Sequence, residues 1–161
     1  AVVPNVKGIS GHAWSETMRT DARMEYMVYP RLFALAERAW YKPTWETSFV
    51  PGKVYNSTTT HVNKAALESD YNAFVNTLTH RELPKLDAYG VAYRLPNVGA
   101  KIQGGKLLAK TEYPNVGIQY SHNGAVWNTY HAAHPPTVGS TVYVRTNNAG
   151  KTRFGRVSLV K

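Results

Sequence analysis

Cysteine is absent from the 161 residues, and that one gap excludes disulfides, thiolate metal sites and cysteine nucleophiles together. It leaves the compartment open, because a disulfide-free chain is at home on either side of a bacterial inner membrane. No apolar run approaches the roughly 20 residues needed to cross a bilayer, so no membrane span is expected. Signal-peptide features are missing, and the first residue is Ala1 rather than methionine. The expectation is a mature product or an excised piece. No Ser-His-Asp order, phosphate-cradling glycine-rich loop or paired-carboxylate motif occurs. Acidic residues are scarce in one place above all. From Pro96 to Lys161, Glu112 stands alone against eight Lys and Arg, a net of +7; from Ala1 to Leu95, eleven basic residues face nine acidic ones, a net of +2. The overall +9 invites acidic partners, but it belongs mostly to the second part.

What is present suffices for a packed core: 43% of residues are hydrophobic and no low-complexity tract argues for disorder. The length allows one medium domain or two small ones. Up to Leu95 the chain reads as helices with brief strands. Met24, Met27, Val28, Leu32, Leu35 and Ala39 fall at helical spacing, which predicts a helix from about Pro30 to Trp40 after a short lead-in. A polar loop with Pro51 and Gly52 runs to His61. Asn63 is placed to cap a second helix through Leu67, Tyr71, Phe74, Leu78 and Leu86, and Gly90 to stop it. "VAYRLP" then alternates as a strand ended by Pro96.

Beyond Pro96 the period is two. Val116, Ile118 and Tyr120 share a face, Asn123-Gly124 signals a hairpin into Val126 and Trp127, and two more alternating runs surround Asn147 to Gly150. With "GKLLAK" this makes five to seven short strands, the pattern of a small antiparallel sandwich. The fold class is α+β, with domains expected at 1–95 and 96–161.

The chemistry concentrates in "GHAWSETMRTD". On a strand, Ser10, His12, Trp14 and Glu16 share one face and Ile9, Gly11, Ala13 and Ser15 the other. An unpaired buried glutamate costs several kcal/mol, so Glu16 must be solvated, paired or bound to a ligand. An indole offers a flat apolar surface for the C–H face of a pyranose, and a carboxylate accepts hydroxyl donors in charge-assisted bonds. A saccharide subsite fits. So does a strand end whose tryptophan covers a sheet and whose glutamate faces water, and spacing does not separate the two.

Other constellations are weaker. His131 and His134 have helical metal spacing but lead into Pro135-Pro136 with no acidic partner, so no metal is expected. Glu37 and Arg38 beside Trp40 read as an ion pair next to packing. Asp21 and Glu25 read as favourable charges near a helix start. The basic second part, with Tyr113, Tyr120, Trp127, Tyr130 and Tyr143, raises nucleic acid as a reading, but alternating aromatics belong more often to a sandwich core. No nucleic acid is expected.

Taken together, "AWSETMRTDARMEYMVYPRLFALAERAWYKP" resembles the last barrel strand and following helix of glycoside hydrolase family 20, the β-N-acetylhexosaminidases, and bacterial chitobiases in particular. "FVNTLTHRELPKLDAYGVAYRLP" is similar to the family's closing helix, and "GIQYSHNGAVWNTY" to the Ig-like C-terminal domain of chitobiases. The resemblance implies the end of a (β/α)8 barrel, with a final strand over roughly Val6 to Ser15, followed by an Ig-like antiparallel β-sandwich. It implies that Trp14 lines the pocket of a terminal N-acetylglucosamine and that Glu16 accepts hydrogen bonds from its hydroxyls, at the strand end where barrel active sites lie. Arg19 and Asp21 follow on the next loop, with no contact assigned. The family's mechanism is substrate-assisted: the acetamido oxygen attacks the anomeric carbon, an Asp steers it, and an adjacent Glu is the general acid. This chain contains no Asp-Glu dipeptide. No catalytic residue, metal or cofactor is therefore expected here, and the chain alone is expected to be inactive. Its partner would be an N-acetylglucosamine-containing oligosaccharide, bound together with the N-terminal remainder of the same enzyme. The location implied is extracytoplasmic, in the bacterial periplasm or secreted. A rival reading is a non-catalytic carbohydrate- or surface-binding accessory module.

Overall fold

A computed structural model describes residues 7–45, 50–54, 56 and 62–161; Val6 and His61, which bound two expected features, lie outside them. The chain divides into two compact units, one of Ala1–Leu78 with Leu86–Tyr93, the other of Thr79–Lys85 with Arg94–Lys161.

In the first unit, α1 spans Asp21–Val28 and α2 spans Arg31–Trp40. Thr20 caps α1: its backbone is extended and its Oγ1 accepts from Arg23 N at 3.2 Å, satisfying one of the orphan donors of the first turn. The expected lead-in is therefore itself helical. Proline at position 30 has no N–H to donate, and the chain breaks between the two helices at Tyr29–Pro30, a cis peptide. Neither helix buries a residue.

The predicted second helix forms as α3, Lys64–Thr77, with Asn63 Oδ1 accepting from Ala66 N at 3.1 Å. It continues through a π-helical turn, Leu78–Glu82, into α4, Leu83–Ala88. Gly90 ends it at φ +70°. Gly90 N donates to Asp87 O at 3.2 Å and Val91 N to Leu86 O at 2.9 Å, the paired bonds of a glycine C-cap. Two expected strands do not form. Residues 7–15 and 91–96 belong to no ladder, although Tyr93 and Leu95 are buried. A strand exists only through hydrogen bonds to a neighbour, and no described residue pairs with either segment.

The second unit has six antiparallel strands in two sheets. β1 (Gly99–Gln103) pairs with β2 (Lys106–Lys110), joined by Gly104-Gly105 at φ +58° and +71°, the two left-handed positions that a tight hairpin turn requires. The other sheet runs β4-β3-β5-β6, with β3 at Gly117–Ser121, β4 at Asn128–Thr129, β5 at Val142–Asn147 and β6 at Ser158–Val160. Both sheets feed one apolar cluster of Leu107, Ile118, Tyr130, Val138, Val142 and Val144. A fully buried aliphatic side chain contributes about 1.5–3 kcal/mol, so this cluster is the unit's main source of stability.

Asn123-Gly124 does sit between β3 and β4, with Gly124 at φ +76°, but the loop is wide. Asn123 Oδ1 accepts from Ala125 N at 2.9 Å and Val126 N at 3.0 Å, which turns Val126 and Trp127 out of the predicted strand. Trp127 instead stacks on Arg145. That guanidinium lies 4.0 Å from the Trp127 ring centroid and 3.9 Å from that of Phe154, while Arg145 Nε donates to Gln119 Oε1 at 2.9 Å. Burial pushes the Arg145 pKa below its ordinary value.

Candidate functional site

Residues 7–15 run without a ladder, yet their side chains still alternate. Ser10 Oγ and His12 Nε2 are hydrogen-bonded at 3.3 Å. The rings of His12 and Trp14 stack with centroids 6.2 Å apart and planes 19° from parallel. The opposite side faces α2: a Cβ on Gly11 would come within 2.9 Å of Leu35 Cδ2, so a larger residue there would require the Leu35 side chain to shift. Gly11 thus meets the helix, while Trp14 is left 76% exposed.

Glu16 does not extend this alternation. The chain turns at Ser15, whose carbonyl accepts from Met18 N at 3.0 Å, and Glu16 is an exposed turn residue. It makes no hydrogen bond or ion pair with a described residue. Beside this turn lies a cavity of about 340 Å³, lined by Ala13, Ser15, Met18, Arg19, Thr20, Asp21, Met24 and Val28. Trp14 and Glu16 are not in its wall. Arg19 and Asp21 are, so the residues following the segment share a concave surface while the two predicted sugar contacts face solvent.

Two charged residues have roles that spacing did not reveal. Glu25, read as a helix-dipole charge, uses Oε2 to accept from Ala92 N at 2.8 Å, tying α1 to the chain 67 residues on. Arg38 pairs with Asp70 rather than with its neighbour Glu37, at 3.8 Å from Nη2 to Oδ2. The same Asp70 oxygen accepts from Trp45 Nε1 at 2.8 Å. Arg38 also lies over the rings of Trp45 and Tyr41, at 5.2 and 5.9 Å, and its Nη1 is buried with no hydrogen-bond partner among the described residues. Trp40, expected beside this pair, is 91% exposed.

His131 and His134 are exposed and sit on a turn closed by His134 N donating to His131 O at 3.0 Å. Their spacing is therefore not helical. Among the described residues no group of three potential metal ligands occurs, and no helix is long and apolar enough to cross a membrane.

Comparison with known proteins accounts for the two textures of the chain. Residues 2–43, which include Trp14 and Glu16, match the glycosyl hydrolase family 20 catalytic domain. Residues 82–157 match the chitobiase/β-hexosaminidase C-terminal domain. An N,N'-diacetylchitobiase of Vibrio harveyi is 43% identical over 154 residues, covering 96% of this chain and 17% of that protein. A β-hexosaminidase of Vibrio vulnificus is 44% identical over 147 residues, covering 86% of this chain and again 17% of the relative. A β-hexosaminidase B of Pseudoalteromonas piscicida is 45% identical over 74 residues, which are 44% of this chain and 10% of that protein. The chain thus spans about a sixth of the length of the first two relatives. A catalytic-domain segment followed by the family's C-terminal domain, with that degree of identity across nearly every residue, means that this chain belongs to the family 20 hexosaminidases, of whose sequence it carries a part.

Proposed function

We propose that this chain is the C-terminal portion of a β-N-acetylhexosaminidase that removes terminal non-reducing N-acetylglucosamine from chitin oligosaccharides by substrate-assisted, retaining catalysis. In this reading residues 1–95 close a (β/α)8 barrel and residues 96–161 form an Ig-like sandwich with a structural role. The enzyme would work outside the cytoplasm. The observation that carries the proposal is an exposed indole and an exposed carboxylate two residues apart, within the segment matched by the catalytic-domain family.

The chemistry follows from those two groups. The Trp14 face would receive the C–H side of the sugar ring, and Glu16 would accept hydrogen bonds from its hydroxyls. Their present exposure is what a half-built pocket supplies: surfaces whose partners are a ligand and further barrel residues. The acid that protonates the leaving group and the acid that steers the acetamido group are not assigned to this chain, which has no Asp-Glu pair. Trp14 and Glu16 hold and orient; they transfer no proton.

The test has two parts. The 161-residue chain by itself should leave an aryl N-acetylglucosaminide intact, and turnover by the pure chain would overturn the division of labour. In an enzyme containing the whole barrel, Glu16→Ala should lower kcat/KM roughly ten- to a hundredfold for each hydroxyl bond lost, since bonds to charged groups contribute about 1.5–3 kcal/mol. An unchanged kcat/KM removes Glu16 from the sugar site.

A further inference from the structure

The β1–β2 ribbon has two unlike faces. Register pairs Gly99 with Lys110, Lys101 with Leu108 and Gln103 with Lys106, so these six side-chain positions share one face. The alternate positions Ala100, Ile102, Leu107 and Ala109 turn inward, where Leu107 is fully buried in the cluster and the other three pack against it. Three lysines, Lys101, Lys106 and Lys110, consequently stand together on the outward face, all exposed. None forms an ion pair or hydrogen bond with a described side chain. Lys110 lies four positions beyond Lys106, about 14 Å along the strand, with Lys101 opposite the midpoint. The only acidic residue beyond Pro96 is Glu112.

Like charges placed this close repel one another and disfavour the isolated ribbon. An anionic partner would turn that repulsion into attraction. The lysine face also borders a shallow basin of about 450 Å³, walled by Gly99, Ala100, Lys101, Leu108, Ala109, Lys110, Tyr130 and Ala132. Its lining is mostly apolar, with Tyr130 the one aromatic, and its charged side chains are Lys101 and Lys110.

We infer that this ribbon face is a docking surface for a linear anionic polysaccharide, whose ring backbone lies across the apolar basin while pendant carboxylate or sulfate groups meet Lys101, Lys106 and Lys110. The concave floor, with Leu108 half-buried, suits a single narrow chain. It does not present the protruding apolar side chains that would insert into a lipid surface. Chitin itself is neutral and leaves the three charges unused. The inference is independent of the hydrolytic reading above, because its site lies outside the segment matched by the catalytic-domain family.

The whole chain can be titrated with polygalacturonate and with a heparin fragment, using chitin oligosaccharide, polyglutamate and anionic phospholipid vesicles as comparison probes. Both anionic polysaccharides should bind in low salt. Lys101→Gln, Lys106→Gln and Lys110→Gln together should weaken that binding at least tenfold and flatten the log–log salt dependence by about 2, the single-strand figure for three released counterions. A charge-matched control, Lys151→Asn with Arg156→Gln and Lys161→Gln, should stay within about twofold of the parent. Circular dichroism and melting temperature show whether each variant is folded. Three results would overturn the inference: no polysaccharide binding, equal losses in both triple variants, or tighter binding of polyglutamate or vesicles at matched charge.

Discussion

The helices α1 and α2 and the sheets of the second unit use similar residues to opposite effect. The helices carry Met24, Met27, Leu32 and Leu35 on a continuous stripe, yet neither buries a residue, and Met24, Met27 and Leu32 are 49%, 39% and 41% exposed. In the second unit, Leu107, Val142 and Val144 are completely buried. The difference is where the partner surface comes from. Each sheet strand finds its hydrogen bonds and its facing side chains within residues 99–160. The helical stripe has the same apolar character but is covered only in part among the described residues, with Gly11 lying against Leu35, and amphipathicity specifies only which side is to be covered.

The sharpest way to break this comparison is to cut into the core that is complete. Leu107→Ala removes three carbon atoms from a fully buried site and should cost about 2–5 kcal/mol. Urea unfolding followed through the second unit's near-ultraviolet aromatic signal, from Tyr130 within the cluster and Tyr120 packed against it, checks it. A loss below about 1 kcal/mol would mean that the two sheets do not share a cooperative core.

A smaller effect should come from adding atoms rather than removing them. A Cβ on Gly155 would collide with Thr146 Oγ1 and approach Pro96 O at 3.4 Å. Thr146 is buried, and its hydroxyl donates to Pro96 O at 2.8 Å, so it has no free space to yield. Gly155→Ala should therefore destabilise by about 1–3 kcal/mol. The double variant with Thr146→Ala, which removes the colliding Oγ1, should show coupling between the two positions in a mutant cycle. Strict additivity would show that the collision is not what makes glycine necessary.

What was legible in the sequence divides along the same line. Signals that act within a few residues were readable: the Asn63 cap, the Gly90 stop, and the alternation of Ile118 and Tyr120 all do what their spacing implies. The strands expected over Val6–Ser15 and Val91–Pro96 required neighbours that alternation cannot name, and their described residues pair with nothing. Trp127 left its strand because Asn123 captured two backbone donors, a local hydrogen bond competing with a ladder. In the candidate site, the residue types were informative but their grouping was not. His12 and Trp14 do share a side, whereas the turn at Ser15 separates Glu16 from their alternation. The Arg38–Asp70–Trp45 cluster joins α2 to α3 across 32 positions of sequence, and no periodicity connects residues so far apart. The three ribbon lysines had a readable signal in "AKIQGGKLLAK": a Gly-Gly turn fixes the register that gathers them on one face.

The smallest expected effect tests the exposed half of the comparison. Leu32→Ala removes an apolar side chain from the α2 stripe, and alanine has slightly the better helix propensity. With 41% of the side chain's residue already in water, little transfer free energy is lost, so stability should change by no more than about 0.5 kcal/mol. The same substitution in Leu107 differs by the cavity it leaves, not by its chemistry, which makes the pair an internal control. If Leu32→Ala instead costs several kcal/mol in the 161-residue chain, and the cost grows with protein concentration, then a second copy is already covering the stripe. A large concentration-independent cost would mean that α2 packs more deeply within its own unit than its exposure implies. Near-neutrality would leave the stripe as a surface awaiting the remainder of a catalytic domain, and it would predict that Leu32→Ala becomes costly only where that remainder is present.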